Sequence, residues 1–349
     1  MHHINNNILA TFGIMLMLIS ISGQYIIHDK ANEIEKMQNP TISKITGKAT
    51  GSVSFIIMRP LSEINFDSYL AFDNESIVLI WNNLSQDNVS IFITNNITAG
   101  FNYGSPNVTN ITTFNWTDTT AKNDPQRYYR LGIWNGGIFN VSDNIEGKFD
   151  IPIYSSNQIP GDVEFNTISL PLLPNNLSMN NIFRWSANGD TIGTYNPFKM
   201  PFPGFDASMF FTGLGWWGDL TEINVTKTYW LGMVSTPYNL TIVGKVPTEN
   251  ITVHLVNSTQ IPGEVEFNTF AWHSVYTRCN LTEALSPNVS VGDTIAVYNP
   301  FKVPFPGFDG NMYFAGIGWW GNINCLEPGK GYTFGIVSNE YDWEYDPDE

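Results

Sequence analysis

Between Val53 and Ile153 the chain is a succession of short apolar-alternating runs interrupted by Asn, Gly and Pro. Alternation with a period of two buries one face of a strand and wets the other, and frequent interruptions of this kind mark a β-sandwich. The runs predict strands at Ser76–Trp81, Val89–Thr94, Ile111–Trp116, Arg127–Trp134 and Lys148–Ile153. Trp81 ends the run Ile77-Val78-Leu79-Ile80-Trp81 and is expected in the core, covered by a paired strand carrying Tyr128, Tyr129, Arg130 and Leu131. Further along, strands are predicted at Val163–Leu170, Thr191–Tyr195, Met209–Thr212 and Tyr229–Val234. A helical spacing puts Met179, Ile182 and Phe183 on one face of a short helix near Ser178–Trp185, with Ser178 as its cap; Leu281–Leu285 holds the matching place later.

The strongest signal is an internal duplication. The decapeptide starting at Gln158 (QIPGDVEFNT) returns at Gln260 as QIPGEVEFNT. Gly189-Asp190-Thr191-Ile192 returns at Gly292-Asp293-Thr294-Ile295, and YNPFKMPFPGFD from Tyr195 returns as YNPFKVPFPGFD from Tyr298. Gly215-Trp216-Trp217-Gly218 returns as Gly318-Trp319-Trp320-Gly321. The period of about a hundred residues is that of a domain, not of a solenoid turn. A similar lead-in strand, starting at Gly147 and at Gly244, precedes each copy.

Composition narrows the function classes. Of 349 residues 42% are hydrophobic and 14% aromatic, enough for several cores. Only 14% are charged, and the net charge is -16, which excludes a nucleic-acid binder, since phosphate recognition needs Lys and Arg. Ile8–Gly23 is an apolar stretch behind a polar start, with Ser20 and Ser22 as a small-x-small cleavage site. It reads as a signal peptide or, extended through Ile27, as an N-terminal membrane anchor; both export the remainder. Asn-x-Ser/Thr acceptors for N-glycosylation occur at Asn74, Asn83, Asn88, Asn96, Asn107, Asn110, Asn115, Asn140, Asn176, Asn224, Asn239, Asn250, Asn257, Asn280 and Asn288. Cys279 and Cys325 both lie in the second copy, without counterparts in the first. That pattern suggests a disulfide in an oxidising compartment; two free buried thiols are the alternative.

The chain therefore divides into a leader or anchor (1–23), a linker (24–52), a β-sandwich (53–156), a first β module (157–243), a second (244–338) and an acidic tail (339–349). The segment Thr46–Phe55 behind an export signal resembles the start of archaeal cell-surface proteins. Trp81, Ile91–Thr94, Asn115–Ala121 and Gln126–Arg130 resemble a fibronectin type III-like domain of such proteins. Phe165–Leu172 and Leu326–Phe334 (LEPGKGYTF) are similar to strands and late turns of prokaryotic surface repeats. The first module departs from this at Val225-Thr226-Lys227-Thr228-Tyr229, which lacks the glycines, and the second departs at Phe270-Ala271-Trp272-His273. The resemblance implies an all-β protein with minor helix, an Ig/fibronectin III-like sandwich followed by two homologous modules, and no catalytic residues.

Candidate chemistry is sparse. His28, His254 and His273 lack zinc-ligand spacing, and no nucleophile elbow or phosphate loop is present. Asp190/Asp293 and Asp206/Asp309 recur in both copies within turn sequences, where Asp bonds nearby backbone amides. Calcium ligation and the paired carboxylates of a secreted carbohydrate-active enzyme are the alternatives. Otherwise no cofactor is expected. The aromatic residues form the candidate ligand platform: Phe202, Phe205, Trp216 and Trp217, with Phe305, Phe308, Trp319 and Trp320 in the second copy. Adjacent tryptophans in a strand point to opposite faces, so one of each pair is expected in the core and the other is either covered by the Pro-Phe-Pro-Gly loop or free to stack on a ligand. These readings predict an extracellular or cell-surface glycoprotein with a structural, adhesive or binding role. Its partners would be a cell-envelope glycan or a surface protein, with membrane contact only through the N-terminal segment.

Overall fold

The computed structural model describes residues 58–61, 66–70, 76–81, 88–135, 138–155, 165–199, 204–234, 236–257, 268–285, 288–303, 307–337 and 339–348. The leader or anchor, the linker, the acceptors Asn74 and Asn83, and Phe202 and Phe305 lie outside these residues. The regular structure among the described residues is nearly all strand, as the alternation predicts, with two one-turn helices in the modules.

The first sandwich holds β1 (Met58–Leu61), β2 (Phe66–Leu70), β3 (Ile77–Trp81), β4 (Val89–Thr94), β5 (Val108–Ile111), β6 (Asn115–Asp118), β7 (Gln126–Asn135) and β8 (Ile138–Ser142). One sheet has the order β2-β3-β6 and the other β1-β8-β7-β4-β5, with β1 running parallel to β8. The even spacing of Ile77, Leu79 and Trp81 turns all three inward, where they pack with Ile91, Tyr129, Leu131 and Ile133 of the facing sheet. Two expectations need correction. Tyr129 and Leu131 cover Trp81 from the opposite sheet, since β7 is hydrogen-bonded to β4 and not to β3. The single strand expected over Ile111–Trp116 is two strands, because the chain crosses there from one sheet to the other. Trp81 N donates to Phe114 O (3.0 Å) and Thr113 Oγ1 to Asn115 O (2.7 Å), which fixes the crossing.

The first module contains β9 (Glu146–Ile153), β10 (Phe165–Ile168), α1 (Met179–Ile182), β11 (Thr191–Asn196), β12 (Gly204–Phe211), β13 (Gly215–Gly218), β14 (Tyr229–Gly232) and β15 (Tyr238–Lys245). The second contains β16 (Ile251–Leu255), β17 (Asn268–Ala271), β18 (Arg278–Cys279), α2 (Leu281–Ala284), β19 (Thr294–Asn299), β20 (Gly307–Phe314), β21 (Gly318–Gly321), β22 (Cys325–Leu326), β23 (Gly331–Gly335) and β24 (Tyr341–Tyr345). Both build the same five-stranded antiparallel sheet, β10-β14-β11-β12-β13 and β17-β23-β19-β20-β21. Met179 and Ile182 are buried as their spacing predicts, although Ser178 makes no side-chain cap bond.

Each five-stranded sheet is covered by a pair of strands, the lead-in and a closing strand. In the first module β9 pairs with β15, and Ile151, Ile153, Leu240 and Ile242 share a core with Ile168, Ile192 and Leu231. In the second β16 pairs with β24, and Val253, Leu255, Trp343 and Tyr345 share a core with Phe270, Ile295 and Phe334. The acidic tail is thereby corrected. Trp343 (2% exposed) and Tyr345 (7%) alternate with acidic residues, so a stretch that looks solvated by charge is an inward-facing strand. The strand read as the last of the first sandwich, β9, also belongs to both bodies, because its start pairs with Gln126–Tyr129 of β7. Cys279 and Cys325 face each other on β18 and β22 and are disulfide-bonded. Closing 46 residues of chain in this way stabilises by about 4 kcal/mol in the chain-entropy treatment.

The two modules meet through a contact that repeats itself about a pseudo-twofold axis. By the repeat, Ser169 is equivalent to Ala271 and Thr226 to Gly329. Ser169 N donates to Gly329 O, and Ala271 N donates to Thr226 O, each at 3.0 Å. Residue i touching j while the equivalent of j touches that of i is the signature of an isologous interface, here within one chain. Near the axis Thr228 Oγ1 donates to Phe270 O (2.5 Å) and accepts from Tyr332 N (3.0 Å). The equivalent of Thr228 is Gly331, where a Cβ would lie 2.2 Å from Thr228 Cγ2 and 2.9 Å from Ile168 O. Two threonines cannot share that space. The absence of a glycine at Thr228 in the first module's late turn is thus explained: one copy supplies the side chain and the other, at Gly331, the vacancy it fills.

His273 also crosses this contact, with Nδ1–H donating to Leu170 O and the backbone N–H donating to Tyr345 Oη at 2.9 Å. It is buried, and burial holds its pKa down to about 4 from the usual 6.5.

Two predictions follow from the junction. Gly331→Ala should lower the free energy of unfolding by about 2 kcal/mol, and Thr228→Ser added to it should recover part of that by removing Cγ2. Chemical denaturation checks both; an unchanged midpoint for Gly331→Ala would show the modules to be apart. The neutral His273 binds no proton in the folded chain between about pH 6.5 and 4, whereas the unfolded chain does. Its contribution is therefore complete above pH 6.5 and is lost as pH falls toward 4, by roughly 3 kcal/mol in all. His273→Gln should flatten that part of the stability-versus-pH curve relative to the parent.

Candidate functional site

The period of two along each strand assigns every residue of the five-stranded sheets to a face. Ile192, Leu231 and Ile168 face the module core. Their neighbours face outward: Phe165 and Thr167 on β10, Trp230 and Gly232 on β14, Thr191, Gly193 and Tyr195 on β11, Phe205, Ala207 and Met209 on β12, and Trp217 on β13. In the second module the same positions hold Thr269, Thr333, Thr294, Ala296, Tyr298, Phe308, Gly310, Met312 and Trp320. None of these side chains is charged.

The adjacent tryptophans divide as alternation requires. Trp216 packs against Phe183 and the first core, and Trp319 against Phe334 and the second. Each buries an indole N–H that finds no hydrogen-bond partner among the described residues. Trp216 and Trp319, counted with the candidate platform from the sequence, thus face the interior side of the sheet and are not part of its outer face. Trp217 is 74% exposed and Trp320 70%, each directly across from a methionine, Met209 or Met312. The second ring of each pair is therefore open to solvent. Phe205 and Phe308 are partly exposed on the same face.

The aromatic residue that sequence reading missed is Trp230. Its ring lies 6.0 Å from Phe205 and 6.3 Å from Phe165 in its own module, and 5.3 Å from Tyr298 and 5.8 Å from Phe308 in the other. It joins the two outer faces at the pseudo-axis. The available signal was its asymmetry, since the equivalent residue is Thr333, but a search for repeated motifs passes over what is not repeated. Tyr195 Oη, Tyr298 Oη and Trp230 Nε1 are buried polar atoms without a hydrogen-bond partner among the described residues. Burial raises both tyrosine pKa values above 10.0.

The recurring carboxylates are held by local structure. Asp190 is buried; its Oδ2 accepts from Ala187 N (2.7 Å) and its Oδ1 from Val234 N (2.9 Å). Asp293 repeats this with Ser290 N and Val337 N at 2.7 and 2.9 Å. Each turn is thus tied to the end of a distant strand, a wider reach than neighbouring amides alone. Asp206 accepts from Asn196 Nδ2 (2.8 Å) and lies 3.3 Å from Lys199 Nζ. Asp309 does likewise with Asn299 (2.8 Å) and Lys302 (3.1 Å). The Asn299 bond, then Lys302, hold the Asp309 carboxyl below its usual range, against some desolvation. Among the described residues no group of three or more His, Cys, Asp or Glu could hold a metal ion. A groove of about 950 Å³ between the first sandwich and the second module includes Asp124, Glu327 and Asp348. Asp124 there is paired with Arg127 (2.5 Å) and Glu327 with Lys330 (2.9 Å).

Asn88, Asn96, Asn107, Asn110, Asn115, Asn176, Asn224, Asn239, Asn250, Asn280 and Asn288 are exposed, while Asn140 and Asn257 are half-buried. Among the described residues no helix is long and apolar enough to cross a membrane.

No family model and no curated protein matches the chain. Among solved structures it is similar to one from work on host cell surface retention of a 1.5-MDa bacterial ice-binding adhesin, with 9% identity and a TM-score of 0.20 over 82% of this chain and 97% of that one. It is also similar to the FN1–FN3 domains of chicken CNTN1, with 15% identity and a TM-score of 0.15 over 83% of this chain and 99% of that one. Superpositions this loose carry no weight for fold or function.

The division of the tryptophans is testable directly. Trp217→Ala with Trp320→Ala should leave the melting temperature within about 2 °C, whereas Trp216→Ala alone should lower it by several degrees, about 2 kcal/mol, because it opens space beside Phe183. The reverse order would show the faces to be wrongly assigned.

Proposed function

We propose that this chain is an extracellular or cell-surface adhesive protein that binds a cell-envelope glycan or a surface protein through the outer faces of its paired modules, without catalysis. The observation that carries the reading is the uncharged aromatic face, with Trp217 and Trp320 open to solvent at equivalent positions. Exposed aromatic rings on a rigid sheet lose little entropy on binding and supply large contact area. The disulfide fits an oxidising compartment, and the exposed Asn-x-Ser/Thr sites fit a glycosylated surface where charge is scarce. The resemblance to archaeal surface proteins agrees with this reading. The recurring carboxylates support it too, since each is occupied in tying a turn or a hairpin together.

Attachment of the full chain to envelope preparations and to a polysaccharide panel tests this. Replacing Trp217 and Trp320 together by Ala should weaken attachment at least tenfold, about 1.4 kcal/mol or more, at unchanged melting temperature. Undiminished attachment would remove the aromatic face from consideration. Turnover of any polysaccharide that Asp206→Ala or Asp309→Ala abolishes would establish the carbohydrate-active alternative in its place.

A further inference from the structure

Resting on that reading, we infer that the ligand is an extended, uncharged polysaccharide lying across both modules at once, and that Trp230 at the junction is the centre of its track.

The geometry begins with the axis. The reciprocal bonds of Ser169 and Ala271 join the two sheets at corresponding ends. Met209 and Trp217 lie toward the other end of their sheet, at the β12–β13 hairpin, and Met312 and Trp320 do the same in the second module. The exposed tryptophans are therefore the outer limits of a strip whose middle is the junction. Along it the order is Trp217, Met209, Phe205, Trp230, Phe308, Met312, Trp320. Met209 is four positions along the strand from Phe205, and Met312 four from Phe308. At about 3.3 Å per strand residue, with ring spacings of 6.0 and 5.8 Å through Trp230, the strip between the methionines runs to roughly 40 Å.

The floor between the rings is made of small side chains, with Gly193 and Ala207 in the first module and Ala296 and Gly310 in the second. Rings standing over a floor of glycine, alanine and threonine leave a long shallow surface, which suits a flat chain of pyranose rings with alternating apolar faces and hydroxyl edges. A protein partner would be expected to meet some charge at its rim, and the outward strand positions offer none. Thr167, Thr191, Thr269, Thr294 and Thr333 line the strip with neutral hydroxyls. Because Thr228 fills the space at Gly331, the two halves keep one spacing, so a long ligand meets both without a separate ordering cost.

Chain-length dependence decides the matter. Cello- and chito-oligosaccharides, from the disaccharide to the decasaccharide, would be titrated into the full chain by calorimetry, at low and high salt. The expected result is one ligand per chain for the long oligomers, with affinity rising roughly tenfold or more between the tetrasaccharide and the octasaccharide and little salt dependence. Trp230→Phe should abolish most of that gain, bringing the octasaccharide close to the tetrasaccharide in affinity. Affinity that levels off at the trisaccharide with two ligands per chain would overturn the continuous track yet leave the aromatic face as the binding surface. Absence of binding at every length would overturn both. Concentration-dependent self-association of the free chain that Trp217→Ala with Trp320→Ala abolishes would overturn the glycan and make a second copy the occupant.

Discussion

The arrangement of the modules depends on one reciprocal contact, in which Ser169 and Ala271 each donate a backbone hydrogen bond to the late turn of the other copy. Hydrogen bonds of this kind contribute only about 1 kcal/mol each, so they do not hold the modules together by strength. They set register. With register fixed, Thr228 falls on the space left by Gly331, His273 reaches Leu170, and Trp230 lands among the aromatic rings of the neighbouring sheet. A small shift would leave buried carbonyl and amide groups unpaired, which costs more than the bonds themselves gain.

Each module has its own main core, closed by its own lead-in and closing strand, although Val275 and Tyr276 of the second module pack into the first core. At the axis equivalent residues come close to their own images, and Thr228 against Gly331 is a place where the two copies had to differ.

Much of the fold was legible in the chain. Alternation located β3, β4, β7 and β9 but ran β5 and β6 together and passed over β1, β2 and β8, while the spacing of Met179, Ile182 and Phe183 located the short helix. The unmatched cysteines pointed to their own pairing. What alternation could not show was which strands share a sheet, so Tyr129 and Leu131 were read as neighbours of Trp81 when they face it. Charge misled at the end of the chain, where Asp342, Glu344 and Asp346 conceal the inward Trp343 and Tyr345. The paired tryptophans were recognisable because they repeat. Trp230 was not, because its importance comes from the pseudo-axis, and an axis is a relation between two copies that no single stretch of sequence contains.

Site-resolved amide hydrogen exchange at Ser169 and Ala271 tests the central claim most directly. If the twofold contact holds the modules in register, both amides should exchange slowly and at similar rates, opening together and with a free energy close to that of the module cores. Rapid exchange at both positions, while Ile192 and Ile295 remain protected in their sheets, would mean two folded modules moving independently, and a single continuous face could not exist.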